Sequence, residues 1–375
     1  MLDKVRNIFP HRYQLVQEMK AQGKRIIGWV CIYVPEEIIY AAGFHPMRIV
    51  GSLNRDTPIA DAYLYSNNCT FSRSILEEGL SGKLDFLDGF VSCNTCDHIR
   101  RLYDVWQMYL KTPYTKALGV PCKVSEATLD YFTQELHLFK KELEEKFSVS
   151  INDESLKQAI QLYNKSRILL TKLFNYRKED PPPIWGWEVA EVIRSSWYLS
   201  REEFNLLLED FLQKLERRDR AEFRNHFRLL LCGSELDDPG YSRIIEESGG
   251  IIVTDALCGS YRYFNLAITE DEEDPIRAIA RRYLQKPMCG RMHPASARVK
   301  GLQELAKEYY IDGVIHQSIK FCDNYAGQFP LIKAGFEELG IPVLSLEREY
   351  ILAGSGQMKT RIEAFFESLE GRLVR

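Results

Sequence analysis

Lys24-Arg25-Ile26-Ile27-Gly28-Trp29-Val30-Cys31 is a short apolar run ending in cysteine, and Phe227-Arg228-Leu229-Leu230-Leu231-Cys232 repeats it in the second half of the chain. Runs this short and apolar predict buried strands of a parallel sheet. The segments after each run repeat as well. A turn leads into a helical pattern ending in glycine, from Pro35 to Gly43 and from Pro239 to Gly249. A second strand comes next, as Met47-Arg48-Ile49-Val50 and as Gly250-Ile251-Ile252-Val253. A cysteine then introduces an amphipathic helix: Cys69 precedes Thr70 to Leu76, and Cys289 precedes Arg298 to Leu302. A strand opened by Asp-Gly leads to Cys-Asp, from Asp88-Gly89 to Cys96-Asp97 and from Asp312-Gly313 to Cys322-Asp323. Finally Leu118-Gly119-Val120-Pro121 pairs with Leu339-Gly340-Ile341-Pro342, each expected to open one more strand. The order and chemistry of these elements read as an internal duplication.

The implied fold class is α/β: two pseudo-twofold-related βαβ domains, each with a small parallel sheet, plus a helical block. Residues 1–20 predict a leading helix, 21–125 the first βαβ domain, 126–225 the helical domain, and 226–375 the second βαβ domain with a closing helix. Within the block, Leu129 to Glu145, Ser155 to Phe174 and Glu188 to Arg217 carry apolar residues at helical spacing. Asp180-Pro181-Pro182-Pro183 interrupts them, because proline breaks helices and disfavours helix in the residue before it. Thr269 to Pro275 predicts a solvated helix start, and Arg361 to Leu369 the closing helix. The helical block is expected to contribute to a homodimer contact.

Composition narrows the function. Net charge −4 gives no electrostatic reason for a nucleic-acid or anionic-membrane partner. The apolar stretch from Ile26 to Gly43 contains Pro35, Glu36 and Glu37, which argues against a membrane span. Met1 to Gln14 has no apolar signal-peptide core. Nine cysteines, odd in number and widely spread, do not read as a secreted disulfide framework. The expectation is a cytoplasmic protein in a reducing compartment, where thiolates remain available to metal.

Cys31, Cys69, Cys96, Cys232, Cys289 and Cys322 fall into two matching triplets. Each sits near a strand end or a helix start, where open α/β sheets collect ligands and helix N-termini favour anions. A single cysteine at a strand end is commonly a small buried hydrophobe. Repetition in both halves argues instead for an iron–sulfur cluster held by all six, as cofactor-binding and metal ligands. Cys122, Cys93 and Cys258 lack a cysteine counterpart and are read as non-ligands. Cys93 forms a lone Cys-x-x-Cys with Cys96, a weak signal for a redox dithiol or half a zinc site.

The stretch from Trp29 to Gly43, Cys69 with Arg73, Cys96-Asp97-His98-Ile99-Arg100, and Lys320-Phe321-Cys322-Asp323 together resemble the ordered motifs of the 2-hydroxyacyl-CoA dehydratase and benzoyl-CoA reductase family. The resemblance spans nearly the whole chain. It implies an anaerobic enzyme whose cluster receives electrons from a separate ATP-hydrolysing [4Fe-4S] activator. Dehydratases of this family use two different subunits with three cluster cysteines each. Six in one chain resemble instead the family's double-cubane proteins, homodimers with an [8Fe-9S] double-cubane cluster. The implied function is reduction of small molecules by this oxidoreductase with low-potential electrons. The alternatives are a subunit of a 2-hydroxyacyl-CoA dehydratase or aromatic acyl-CoA reductase with one or two [4Fe-4S] clusters, and a non-catalytic electron-storage protein.

No Walker A sequence is present, so ATP hydrolysis is expected on the partner, and no dinucleotide fingerprint lies after either first strand. Reduction also needs protons. His98, His316, His293 and Glu37 lie close in sequence to the proposed ligands and are the candidate catalytic donors, although proximity in sequence does not place a side chain in a cleft.

Overall fold

The computed structural model describes residues 2–52, 56–286, 289–352 and 354–373, with the side chains of 372 and 373 excepted. The chain begins with α1 (Leu2–Ile8) and α2 (Arg12–Ala21), so the expected single leading helix is two, parted around Pro10. The first half then runs β1 (Arg25–Trp29), α3 (Glu36–Ala41), β2 (Phe44–Arg48), α4 (Thr70–Leu80), β3 (Gly89–Cys93), α5 (Asp97–Tyr109) and β4 (Thr115–Leu118). Four helices come next: α6 (Glu126–Phe147), α7 (Asp153–Tyr176), α8 (Gly186–Ser195) and α9 (Arg201–Leu215). The second half runs β5 (Phe227–Gly233), α10 (Pro239–Glu247), β6 (Gly250–Ala256), α11 (Tyr261–Phe264), α12 (Pro275–Leu284), α13 (Ala295–Glu308), β7 (Gly313–Ile319), α14 (Asp323–Ala326), α15 (Phe329–Glu337) and β8 (Val343–Arg348). It closes with α16 (Ser355–Leu373), longer at both ends than expected.

The strands form two four-stranded parallel sheets of the same topology, β2-β1-β3-β4 and β6-β5-β7-β8. Register fixes the equivalence between them. Ile27 pairs with Gly89 and Leu229 with Gly313, while Arg25 pairs with Phe44 and Phe227 with Gly250. The Asp-Gly signal has a physical cause visible in both sheets. Asp88 Oδ2 accepts from the Ile26 amide at 2.7 Å, and the Asp88 amide donates to the Ile26 carbonyl at 2.9 Å. Asp312 does the same with Arg228, at 2.7 Å in both directions. Each carboxylate therefore pins the start of one central strand to the other. Asp88→Ala and Asp312→Ala should each cost about 1–3 kcal/mol in urea unfolding, the penalty of an orphaned amide. A loss within error at both sites would contradict this account of the repeat.

One match in the repeat is corrected. Register makes Thr115 the equivalent of Val343, since Phe90 pairs with Thr115 and Val314 with Val343. Leu118-Gly119-Val120-Pro121 thus closes β4, whereas Leu339 to Pro342 precedes β8. Cys122, read as a non-ligand, is exposed. The helical block also divides where a continuous helix from Glu188 to Arg217 was expected. Ser200 accepts from the Glu203 amide at 3.3 Å and Glu203 Oε2 from the Ser200 amide at 3.2 Å, a capping box that starts α9 afresh. No helix among the described residues is long and apolar enough to cross a membrane.

The halves meet through buried and part-buried polar contacts. The Tyr350 hydroxyl accepts from the Gly51 amide at 3.2 Å, and its ring packs on Phe71 at 5.2 Å. Arg291 donates to the carbonyls of Pro121 and Val120 at 2.7 and 2.8 Å. Thr70 Oγ1 bonds to Glu349 Oε2 at 3.1 Å. These contacts bring the carboxyl ends of both sheets to one place, where such sheets gather ligands.

Candidate metal centre

Between the two sheets lies a cavity of about 290 Å³ lined by the sulfur-bearing residues Cys31, Cys69, Cys96, Cys258, Cys289 and Cys322. Each half contributes three. Cys31 lies just after β1, Cys96 after β3, Cys258 after β6 and Cys322 after β7. Cys69, Cys96 and Cys322 are the N-caps of α4, α5 and α14, and Cys96 Sγ accepts from the Ile99 amide at 3.5 Å. Cys289 stands apart from the expected helix start, because α13 begins only at Ala295.

Five of the six proposed ligands line the cavity, and Cys232 does not. It is a residue of β5, 2% exposed, and burial pushes its thiol up to about 12. The sheet register explains the displacement. Aligning Ile27 with Leu229 places Val30 opposite Cys232 and Cys31 opposite Gly233. A slip of one residue in a strand sends a side chain to the other face. Cys31 and Gly233 share a further property: both have positive φ, 83° and 130°. A Cβ at Gly233 would lie 1.7 Å from the Gln317 carbonyl oxygen, so no cysteine can stand there. In the second half the third sulfur comes instead from Cys258.

The electrostatics are those of crowded thiols. Burial, and then the charge of Cys69, push Cys322 up to about 12 and raise Cys96 as well. Burial raises Cys69. Cys31 is the exception, held down at about 6 by a hydrogen bond from buried Cys93 that outweighs burial, with Thr95 Oγ1 donating at 3.3 Å. Buried Arg262 donates to Cys258 Sγ and to the Tyr325 hydroxyl, which places a cation against that sulfur. A cation between the sulfurs would reverse the penalty on ionising them. Among the described residues, no three His, Cys, Asp or Glu side chains close on a point that would hold a single ion. Six sulfurs spread around one cavity fit a polynuclear iron–sulfur group better than a four-ligand zinc site.

A family model described as 2-hydroxyglutaryl-CoA dehydratase, D-component, matches residues 31–369. The chain belongs to this dehydratase family. It is 26% identical over 361 residues to the (R)-phenyllactyl-CoA dehydratase beta subunit of Clostridium sporogenes, covering 96% of each chain. It is 27% identical over 361 residues to the (R)-2-hydroxyglutaryl-CoA dehydratase beta subunit of Acidaminococcus fermentans, covering 95% of each. To a benzoyl-CoA reductase subunit from Thauera aromatica it is 29% identical over 343 residues, covering 90% of this chain and 88% of that one. This family of dehydratases and reductases is therefore one of enzymes.

Of the candidate proton donors in this dehydratase-family chain, only His98 lines the cavity. Its Nε2 lies 2.7 Å from the Phe321 carbonyl oxygen, and since a carbonyl can only accept, Nε2 carries the proton and ties α5 to the opposite half. His316 is buried within β7, both ring nitrogens without partners, and burial holds it down at about 4. His293 is exposed outside the cavity lining. Glu37 lies in a separate buried network with Arg167 and with the Tyr283 hydroxyl, which donates to it at 2.8 Å. Its neighbour Glu36 binds Arg201 at 3.0 Å and Tyr263 at 2.6 Å. Both carboxylates join α3 to the helical block and the second half. No motif or spacing points to Tyr33, Glu235 or Tyr325, which do line the cavity.

Proposed function

We propose that this chain is an iron–sulfur reductase holding a double-cubane cluster on Cys31, Cys69, Cys96, Cys258, Cys289 and Cys322. The single observation that supports it is that six cysteines, three from each half of one chain, line one cavity. At about 290 Å³ the cavity is equivalent to roughly ten waters at ~30 Å³ each, far more than one ion needs. When bound, the cluster would supply low-potential electrons to a small substrate. The protein's own part is to hold the sulfurs, to set Arg262 against Cys258, and to bury the walls. An ATP-hydrolysing activator is the proposed electron source, because adding charge to an already anionic, poorly solvated site is costly. The nine cysteines are free, which suits a reducing cytoplasm.

The relatives favour a second reading. They are subunits of CoA-thioester dehydratases and of a reductase, so this chain would be one subunit acting with another on a CoA thioester. Anaerobic purification with iron and acid-labile sulfide analysis separates the two. About eight irons per chain are expected for the double cubane and about four for the dehydratase type, at three or four thiolates per cubane. Reduction of a small substrate should require both activator and ATP. Turnover at an equal rate without them defeats the proposal, and strict dependence on a CoA thioester and a second subunit moves the assignment to the second reading. Full iron loading without any turnover would leave an electron-storage protein.

A further inference from the structure

On the iron–sulfur reading above, we propose that Arg262 makes the Cys258, Cys289 and Cys322 end of the cavity the place where the first electron added to the bound group resides.

Arg262 belongs to α11 and is 0% exposed. Its Nη2 donates to Cys258 Sγ and its Nη1 to the Tyr325 hydroxyl. The Tyr325 oxygen also accepts from the Gly290 amide at 3.3 Å, and the guanidinium lies 5.3 Å from the centre of the Tyr325 ring. The cation is therefore held from α14 while it touches a sulfur that lines the cavity. Its charge bears on Cys289 and Cys322 as well as on Cys258. A guanidinium stays charged at every working pH, so the arrangement does not depend on titration.

The first-half sulfurs meet weaker donors. Thr95 Oγ1 donates to Cys31 Sγ at 3.3 Å and the Ile99 amide to Cys96 Sγ at 3.5 Å, and both donors are neutral. Ser72 Oγ lies 3.5 Å from Cys69 Sγ, but its single proton has oxygen acceptors closer by, Asn68 Oδ1 at 2.6 Å and the Cys69 carbonyl at 2.9 Å. Arg73, whose charge bears on Cys69, is bound to Asp61 at 2.6 Å. Lys286 donates to the Ile32 carbonyl beside Cys31, not to a sulfur. Arg291 lines the cavity, yet its guanidinium reaches across to the Pro121 and Val120 carbonyls, so its charge is shared by both ends.

The helix starts at Cys69 and Cys96 are the remaining rivals. Each offers roughly half an elementary charge, spread over several amides, and Asp97 in the first turn of α5 offsets one of them. Arg262 brings a whole charge, fully buried and in contact. Asp97 and Asp323 line the cavity one at each end and cancel. Hydrogen bonds to the sulfurs and local charge set the potential of an iron–sulfur group, and charge-assisted bonds are the stronger kind. In a poorly solvated cavity an added electron is therefore most stable beside the buried cation. The step is electron transfer alone. An external one-electron donor is oxidised, the bound group is reduced by one electron, no bond breaks, and no proton is required because the guanidinium supplies the countercharge.

Redox titration of the anaerobic, iron-loaded protein with titanium(III) citrate, followed by electron paramagnetic resonance, tests the assignment. In Arg262→Met the constant for adding the first electron should fall roughly tenfold or more, a drop of about 59 mV or more in the first midpoint. Arg262→Lys keeps the charge and should recover most of that loss. Thr95→Val removes the donor to Cys31 and should hold the same constant within about twofold of wild type. An Arg262→Met constant within that range, or a Thr95→Val shift as large as that of Arg262→Met, overturns the proposal. Should Arg262→Met misfold or lose iron, Thr95→Val decides by itself: a constant moved roughly tenfold overturns the proposal, and an unmoved one upholds it. A wild-type chain without iron overturns the cluster reading and this assignment with it, whereas a loaded chain with the reverse pattern overturns the assignment alone.

Discussion

Cys258→Ala should strip iron from the chain, and Cys232→Ala should leave it loaded. The proposed ligand set exchanges these two residues relative to the pattern, because Cys258 lines the cavity and Cys232 does not. Cys258 also takes a hydrogen bond from Arg262, whereas Cys232 is a buried residue of β5 at the position equivalent to Val30. Loss of one thiolate should release roughly half of the iron or more, since a cubane needs three or four thiolates. Removing the Cys232 sulfur should cost only about 1 kcal/mol of packing. Iron and sulfide per folded chain, with the visible spectrum, provide the measurement. Full loading of the Cys258 variant, or depletion of the Cys232 variant, would sink the ligand assignment.

Arg167→Ala should destabilise the fold by about 3–5 kcal/mol, because it leaves the fully buried Glu37 carboxylate without its ion-pair partner. Burial pushes the Glu37 carboxyl up, but Arg167 and then Arg282 outweigh it and hold it at about 2. The sign of the pH dependence is set by that direction. A carboxyl held below its unfolded value of ~4.3 contributes stability that is present above that pH and lost as pH falls toward the folded value. The gap between wild type and variant should therefore be widest near neutrality and narrow in acid. Urea unfolding across that range provides the check. Replacing Arg167 with Met and Glu37 with Leu together should recover most of the loss, since a matched apolar pair needs no ion partner. A loss below ~1 kcal/mol near neutral pH would refute the account, because breaking a buried pair costs more than that.

Much of the architecture was legible in the sequence. The apolar runs at Ile26 and Leu229 and the Asp-Gly signals at Asp88 and Asp312 mark equivalent strands, and both sheets are parallel as expected. The cysteine pattern found five of the residues that line the cavity. It failed at the sixth because it matched residue type and ignored strand parity, which places Gly233 at the position equivalent to Cys31. A usable signal for Cys258 existed: it lies just beyond the carboxyl end of β6, where ligands gather. Glu37 and His316 owe their candidacy to closeness along the chain. Each instead faces a packed interior, Glu37 among arginines and tyrosine, His316 against the Phe329 ring at 5.4 Å. Partners that far apart in sequence leave no local pattern to read.

Both walls of the cysteine cavity belong to one continuous polypeptide. A cavity assembled from separate chains would fall apart on dilution, and its abundance would track the product of two concentrations. Here the second wall is supplied intramolecularly, at an effective concentration that dilution cannot lower. Each copy that folds carries its six sulfurs in fixed ratio, and no half-site can accumulate from unequal synthesis.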